Sequence, residues 1–309
     1  ADRVVVLRHG EMVETGTVKS LFQKPREAYT KQLLAARPVL GTRPPYTPKT
    51  PKVLLEAEGL GCTYPGKGGW FRTAPDVKAL QNVAFQLHAG ATVGVVGESG
   101  SGKSTLARVL TRLVHGVDGG RIVFMGHDFM AHKGEALRLA RKDMQMVFQD
   151  PAAALNPKLT IGESIAEGVI AHAMLAPAKV GPYVKKLLAE CGLPADMATR
   201  YPHQLSGGQK QRVCIARALA LEPKLVICDE AVSALDVSVQ AQILELLERI
   251  QQERGTSFIF ISHDLRVVSH LADHVLVMHH GKVVESGPTS TVFKNPKNPY
   301  TKRLLAAVV

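Results

Sequence analysis

The chain has 309 residues, 45% apolar and 21% charged, which leaves room for one large domain or two modest ones and excludes wholesale disorder. Its 38 basic and 27 acidic residues leave a net charge of +11, pointing to anionic partners (nucleotide, nucleic acid or a membrane face) without choosing among them. No apolar run reaches the roughly 18 residues of a membrane-spanning helix. The first residues, with Asp2, Glu11 and Glu14, hold no signal-peptide core. The four cysteines are scattered without a C-x-x-C spacing, so neither a metal site nor a disulfide framework is read, and a reducing, cytosolic compartment is expected.

The two ends of the chain repeat one another. Residues 1–36 and 272–307 align without a gap at an offset of 271, with 18 of 36 positions identical. Gly10/Gly281, Glu14/Glu285, Phe22/Phe293, Pro25/Pro296 and Tyr29/Tyr300 are among them. A repeat placed this way reads as the tail of one unit followed by a second unit that ends in its own tail, the C-terminal part of a tandem pair. Residues 37–52 hold Pro38, Pro44, Pro45, Pro48 and Pro51, which makes them an extended, semi-rigid spacer and a domain boundary.

After the spacer, Tyr64 stands in CTYP, 33 residues before Gly97, where its ring is placed to stack on a nucleobase. Trp70 and Phe71, in a glycine-rich stretch, are the alternatives. Residues 91–96 are a short β-rich run leading into GESGSGKST, residues 97–105, which matches G-x-x-x-x-G-K-[ST] at Gly97, Gly102, Lys103 and Ser104. The glycines let the backbone curl, so that successive N–H groups, with Ser99, Gly100 and Thr105 in the set, face phosphate oxygens. Lys103 reaches the outer phosphates, and the Ser104 hydroxyl can bind Mg²⁺. Apolar residues at helical spacing over 105–114 put the phosphates at a helix N-terminus.

Residues 145–151, QMVFQDP, are an apolar strand that delivers Gln149 into a loop, where a neutral amide can ligate Mg²⁺ or orient a water. The pattern over 157–193 is helical. LSGGQ, with Ser206, Gly207, Gly208 and Gln209, precedes a helical run over 210–221, and the N–H groups of such a start form a second anion site. A second such site makes sense if it closes over the nucleotide of a partner domain. KLVICDE, residues 224–230, reads as a strand buried on both faces and ending in two acids. Asp229 can hold the Mg²⁺ shell and Glu230 can polarise an attacking water. SALD, residues 233–236, is a polar turn suited to an interface, and its Asp236 is grouped with the nucleotide-binding residues. SFIFISHD, residues 257–264, brings His263 to a strand end, where an imidazole can stabilise charge on a γ-phosphate or position water. His279 and His280, before Gly281, are read as a solvated turn and not a metal pair.

These motifs, in this order, resemble an ATP-binding-cassette ATPase over residues 53–309, and residues 1–36 resemble the tail of a preceding cassette. QMVFQDPAAALNP, YPHQLSGGQKQR, LDVSVQAQILELL and NPKNPYTKRLLAA are similar to the oligopeptide/dipeptide/nickel importer subfamily. That subfamily includes tandem two-cassette members similar to glutathione and microcin-type peptide importers. The resemblance implies an α/β fold: a P-loop NTPase-type parallel-sheet core within 53–288, an antiparallel β subdomain near Tyr64, an α-helical subdomain over about 151–209, and an importer-type tail at 289–309. It implies ATP and Mg²⁺ as cofactors and Glu230, His263 and Gln149 as the catalytic set. Hydrolysis would power import of peptides or related solutes. Implied partners are a second nucleotide-binding domain (tandem half or homodimer), two membrane permease subunits facing the loop at 149–157, and indirectly a solute-binding protein, with no nucleic acid. The implied place is the cytoplasmic face of the cell membrane, peripherally. Ala231 departs from the family, which has proline after the two acids, but Glu230 is kept.

The alternative is a soluble tandem cassette ATPase acting on nucleic acid or the ribosome. The spacer at 37–52 is too short and proline-rich for the long charged helical linker of translation-type tandems. The 56 positions from Gln149 to Leu205 leave no room for a long coiled-coil insertion.

Overall fold

The computed structural model describes residues 2–8, 10–35, 52–66, 75–114, 116–233 and 235–307. The spacer read at 37–52 lies outside the described residues apart from Lys52, as do Trp70 and Phe71.

Residues 3–35 fold as a small unit of β1 (Arg3–Arg8), β2 (Glu11–Thr17), α1 (Val18–Gln23) and α2 (Ala28–Ala35). The body then runs through β3 (Val53–Tyr64), β4 (Val77–His88), β5 (Thr92–Val96), α3 (Lys103–Leu110), β6 (Val117–Phe124), β7 (His127–Asp128), α4 (Gly134–Lys142) and β8 (Met144–Val147). Helices α5 (Pro151–Ala154), α6 (Ile161–Ala171), α7 (Pro177–Glu190) and α8 (Gly207–Leu219) follow. The chain then returns to the sheet through β9 (Leu225–Asp229), α9 (Val237–Arg254), β10 (Ser257–Ile261), α10 (Leu265–Leu271), β11 (His274–His279) and β12 (Lys282–Pro288), and ends in α11 (Thr289–Lys294) and α12 (Pro299–Ala306).

The central sheet has the order β12-β11-β5-β10-β9-β8, parallel except for the antiparallel edge strand β12. A separate sheet, β4-β3-β6-β7, is antiparallel. This is the expected α/β architecture. β5, β9 and β10 are buried at every residue, as strands covered on both faces must be. Their alternation divides the core. Val226, Cys228, Phe258 and Phe260 face the helical subdomain, while Leu225, Ile227, Ile259 and Ile261 face α3 and the antiparallel sheet.

The expected helical subdomain is α5 to the start of α8. Thr160 and Glu163 form a reciprocal capping box that starts α6. Helix α8 begins at Gly207, in agreement with the helix start read from the sequence at Ser206, Gly207 and Gly208. The cause is a second capping box: Ser206 Oγ accepts from the Gln209 N–H, and Gln209 Oε1 accepts from the Ser206 N–H. That box draws two glycines into a first turn they would not otherwise favour.

The terminal repeat extends to backbone detail. β1, β2, α1 and α2 match β11, β12, α11 and α12 at the same offset of 271, end for end. The strand register is the same too: Val6 pairs with Glu14 and Leu7 with Met12 across a bulge, as Val277 pairs with Glu285 and Met278 with Val283. Glu14 accepts the N–H groups of Arg26 and Glu27, and Glu285 those of Lys297 and Asn298. The two copies differ in what covers them. β11 pairs with β5 on its other edge, and Leu276 and Met278 are 1% and 0% exposed. Among the described residues β1 pairs with β2 alone, and the equivalent Val5 and Leu7 are 52% and 59% exposed.

Glu285 ties β12 to the start of α12. Burial pushes its carboxyl up, but the N–H of Lys297, the Thr301 hydroxyl and the N–H of Asn298 together hold it below the usual carboxylate range. A carboxyl held down in the folded state stabilises above its unfolded pKa, and that contribution is lost as pH falls through the folded one. We expect Glu285→Ala to destabilise the tail by about 1–2 kcal/mol at neutral pH. It would show as faster amide exchange over 297–302, with the gap to wild type narrowing in acid below the ordinary carboxylate range.

Candidate active site

Loops leave the C-terminal ends of four neighbouring parallel strands at one edge of the sheet, where open α/β folds bind ligands. They are residues 97–102 after β5, 148–150 after β8, 230–236 after β9 and 262–264 after β10. The first curls through Gly97 and Gly102 at φ +151° and +104°. A Cβ on Gly97 would lie 2.2 Å from the Met278 carbonyl oxygen, and one on Gly102 2.5 Å from that of Ala79, so both sites are closed to larger residues.

Lys103 opens α3 and is 4% exposed. Its Nζ donates to the carbonyls of Gly97 (2.8 Å) and Glu98 (2.9 Å). Burial pushes its pKa down, opposed by the nearby Glu230 and Asp229. Ser104 Oγ donates to Asp229 Oδ1 at 2.9 Å. Burial pushes the Asp229 carboxyl up, against the pull of that hydrogen bond.

Glu230 is the meeting point. Its Oε2 accepts from Gln149 Nε2 at 3.0 Å and lies 3.5 Å from Nδ1 of the exposed His263. Glu230 has φ +48°, a left-handed conformation costly for a residue with a side chain. Its N–H donates to the Ile261 carbonyl, and its own carbonyl accepts both the N–H and the hydroxyl of Ser233, which hold it there. Strain of this kind, over-determined by its surroundings, collects at functional sites.

A cleft of about 670 Å³ opens over these groups. Ser99, Gly100, Gly102, Lys103, Ser104, Thr105, Gln149 and Glu230 line it from the set read in the sequence. Tyr64 does not line it. It ends β3 opposite Val77, which does, and its half-buried ring packs on the core shared with the antiparallel sheet. Asp236 caps α9 by accepting the Val239 N–H, and its carboxyl is held below its usual range first by the Ser238 hydroxyl. Ser206, Gly207, Gly208 and Gln209 open α8 and contribute nothing to this cleft.

Sequence reading missed one wall. The β4 residues Val77, Lys78, Ala79 and Gln81 and the hairpin turn at His280 and Gly281 line the cleft. Gln81 Nε2 donates to the His280 carbonyl, and the Gly281 N–H to that of Ser101. The histidine pair is therefore more than a solvated turn. His280 faces the cleft, and the ring of the half-buried His279 lies 4.0 Å from that of Tyr300, centroid to centroid. No motif signals this wall, because apart from the Gln81 amide its residues serve through backbone or position alone.

Lys103 gives the most direct test of the cleft. We expect Lys103→Ala to weaken binding of ATP by tenfold or more while the chain folds as before, read by equilibrium titration and circular dichroism. If the loop binds phosphate as its sequence pattern leads us to expect, the interaction lost is a charged one.

Residues 80–233 match the family described as ABC transporter. Residues 13–67 and 284–309 match the family described as the oligopeptide/dipeptide transporter C-terminal region, so the later two thirds of each copy of the terminal repeat, 13–36 and 284–307, fall in that match. The chain is 47% identical to the peptidoglycan transport ATP-binding protein YejF of Agrobacterium fabrum, over 99% of this chain and 56% of that protein. It is 45% identical to the glutathione import ATP-binding protein GsiA of Escherichia coli (strain K12), over all of this chain and 53% of that protein. It thus spans about half the length of the curated relatives it matches. Among solved structures it is similar to the ATP-binding cassette MJ0796, a dimer in a post-hydrolysis state bound to ADP and Pi. The TM-score is 0.68 at 28% identity, covering 76% of this chain and 99% of that one. Part of a Clostridium perfringens transporter complex, cbiO1, superposes with a TM-score of 0.66 at 28% identity, over 79% of this chain and 91% of that one. The chain belongs to the ATP-binding cassette family, carrying its ATPase domain together with the C-terminal region of the oligopeptide/dipeptide transporters.

Proposed function

We propose that the chain is an ATP-hydrolysing part of a peptide-class importer and that its cleft holds ATP with Mg²⁺. The observation that carries this is the convergence at one sheet edge of Lys103, of Ser104 bonded to Asp229, and of Gln149 and His263 at one oxygen of Glu230. A hydroxyl, a carboxylate and an amide oxygen are hard donors, few enough to leave places for water and phosphate, which suits Mg²⁺. Ser104, Asp229 and Gln149 would hold it, and when bound it would neutralise charge on the β- and γ-phosphates. The chain's own groups do the rest. Lys103 exchanges its two carbonyl partners for phosphate oxygens. Glu230 takes the proton of the attacking water, and Gln149 and His263 hold Oε2 in place for it. His263, being exposed, can turn to the γ-phosphate as charge develops there. Tyr64, beside the cleft wall, remains our candidate for stacking on the base.

The start of α8, absent from this cleft, acts on the nucleotide of a second nucleotide-binding domain, with Asp236 near that interface. That domain is a tandem half or a second copy of this chain. For residues 3–35 we propose that the uncovered face of β1 packs on the core of a preceding cassette, as β11 packs on β5. On this reading residues 1–36 are that cassette's tail, 37–52 a spacer, 53–288 the nucleotide-binding domain and 289–309 its tail. The transporter-type C-terminal region and relatives named for glutathione import and peptidoglycan transport favour import over work on nucleic acid or the ribosome. The partners are then two permease subunits, with a solute-binding protein acting indirectly, and the place is the inner face of the cell membrane, peripherally.

We expect Glu230→Gln to cut ATP turnover by about 10²-fold or more while ATP still binds. The same variant with ATP should sediment as a dimer. A chain that stays monomeric at high concentration with ATP bound rules out the homodimer.

A further inference from the structure

The C-terminal tail touches the phosphate loop directly. The backbone N–H of Glu98 donates to the Tyr300 hydroxyl at 3.0 Å. Tyr300 lies in the first turn of α12 and is 5% exposed. Its own place is fixed from three sides. Its N–H donates to Asn298 Oδ1, the helix cap, at 2.8 Å. Asn298 and Lys297 are in turn held by Glu285, and the tyrosine ring lies against that of His279 at a tilt of 31°. The other end of that same peptide unit is the Gly97 carbonyl, which accepts from Lys103 Nζ at 2.8 Å, and Lys103 also donates to the Glu98 carbonyl of the next unit at 2.9 Å. One peptide unit of the loop is thus gripped by the tail through its N–H and by the phosphate-binding lysine through its carbonyl. A second grip comes from the hairpin turn of the same repeat unit, where the Gly281 N–H donates to the Ser101 carbonyl.

We propose that Tyr300 is a positioning residue of the phosphate loop. Its hydroxyl fixes the Glu98 peptide in the orientation from which Lys103 and the following N–H groups meet phosphate. This rests on reading the cleft as a nucleotide site. The physical basis is preorganisation: a loop held in its binding conformation before the ligand arrives loses less freedom on binding. An anchored Gly97 carbonyl also gives Lys103 a fixed resting partner in the loop, so its ammonium sits in the cleft instead of searching for a place. The same tyrosine recurs at Tyr29 in the first repeat unit, where only half of the aligned positions are shared, and its half-buried ring lies under Arg8.

Tyr300→Phe removes the hydroxyl and keeps the ring. The test is equilibrium binding of a fluorescent ATP analogue with Mg²⁺ to the full 309-residue chain, beside amide exchange of the nucleotide-free protein. We expect the variant to bind about three- to tenfold more weakly, the loss of one hydrogen bond in a buried loop. We also expect faster exchange over 98–102 with exchange in β9, β10 and α12 unchanged. The proposal is overturned if either half is missing. It is also overturned if the weaker binding comes with faster exchange across those strands and α12, since that is loss of fold. A wild-type chain that binds no nucleotide would instead remove the reading of the cleft itself, and the role of Tyr300 with it.

Discussion

β9 is hydrogen-bonded on both sides to parallel neighbours, and the chemistry of the cleft depends on that register. Cys228 lies beside Val147 of β8 and Phe260 of β10, and Asp229 beside Ile261. The three strands therefore end within one residue of the same level, and residues that follow them meet. Because side chains alternate, a slip of one residue would turn Asp229 away from Ser104 and exchange the two halves of the core. The slip is resisted by packing on both faces: phenylalanine and cysteine toward the helical subdomain, leucine and isoleucine toward α3 and the antiparallel sheet.

The same constraint explains why charge is tolerated in so buried a place. Lys103 and Asp229 are both nearly inaccessible, and burial moves both toward their neutral forms. Each is satisfied by a short, specific partner: loop carbonyls for the ammonium, a hydroxyl for the carboxylate. Those partners are the groups that phosphate and a hard cation would replace. On the proposed reading the two buried charges stay paired throughout, since each ligand takes the place of a partner already present.

Much of this was legible in the sequence, for a physical reason. Phosphate binding by backbone needs glycine at fixed points, a buried parallel strand needs an unbroken apolar run, and water activation needs an acid at the strand end, so each element leaves a local mark. The start of α8 at Ser206, Gly207 and Gly208 was read correctly, although glycine disfavours a helix, because Ser206 and Gln209 stand at capping-box spacing. Tyr64 stood out as an aromatic residue near the loop, but whether a ring faces a cleft or a core is decided by packing that the sequence does not display. Tyr300 and the β4 wall left no local mark, since their partners are some 200 residues away in the chain: Tyr300 to Glu98 spans 202 positions and Gln81 to His280 spans 199. The terminal repeat was visible as identities. That the two copies differ mainly in being covered or bare, Leu276 against Val5 and Met278 against Leu7, needed the fold.

The central claim is that each cleft is half a site, completed by the α8 start of another nucleotide-binding domain. It is tested most directly by mixing two inactive forms of the chain. Lys103→Ala disables the cleft and leaves the start of α8 intact, while Ser206→Arg does the reverse. The account predicts that neither hydrolyses ATP alone and that the mixture regains turnover, because one intact cleft then meets one intact α8 start. Full turnover by Ser206→Arg alone, or a mixture as inactive as its parts while the two forms associate, would contradict it.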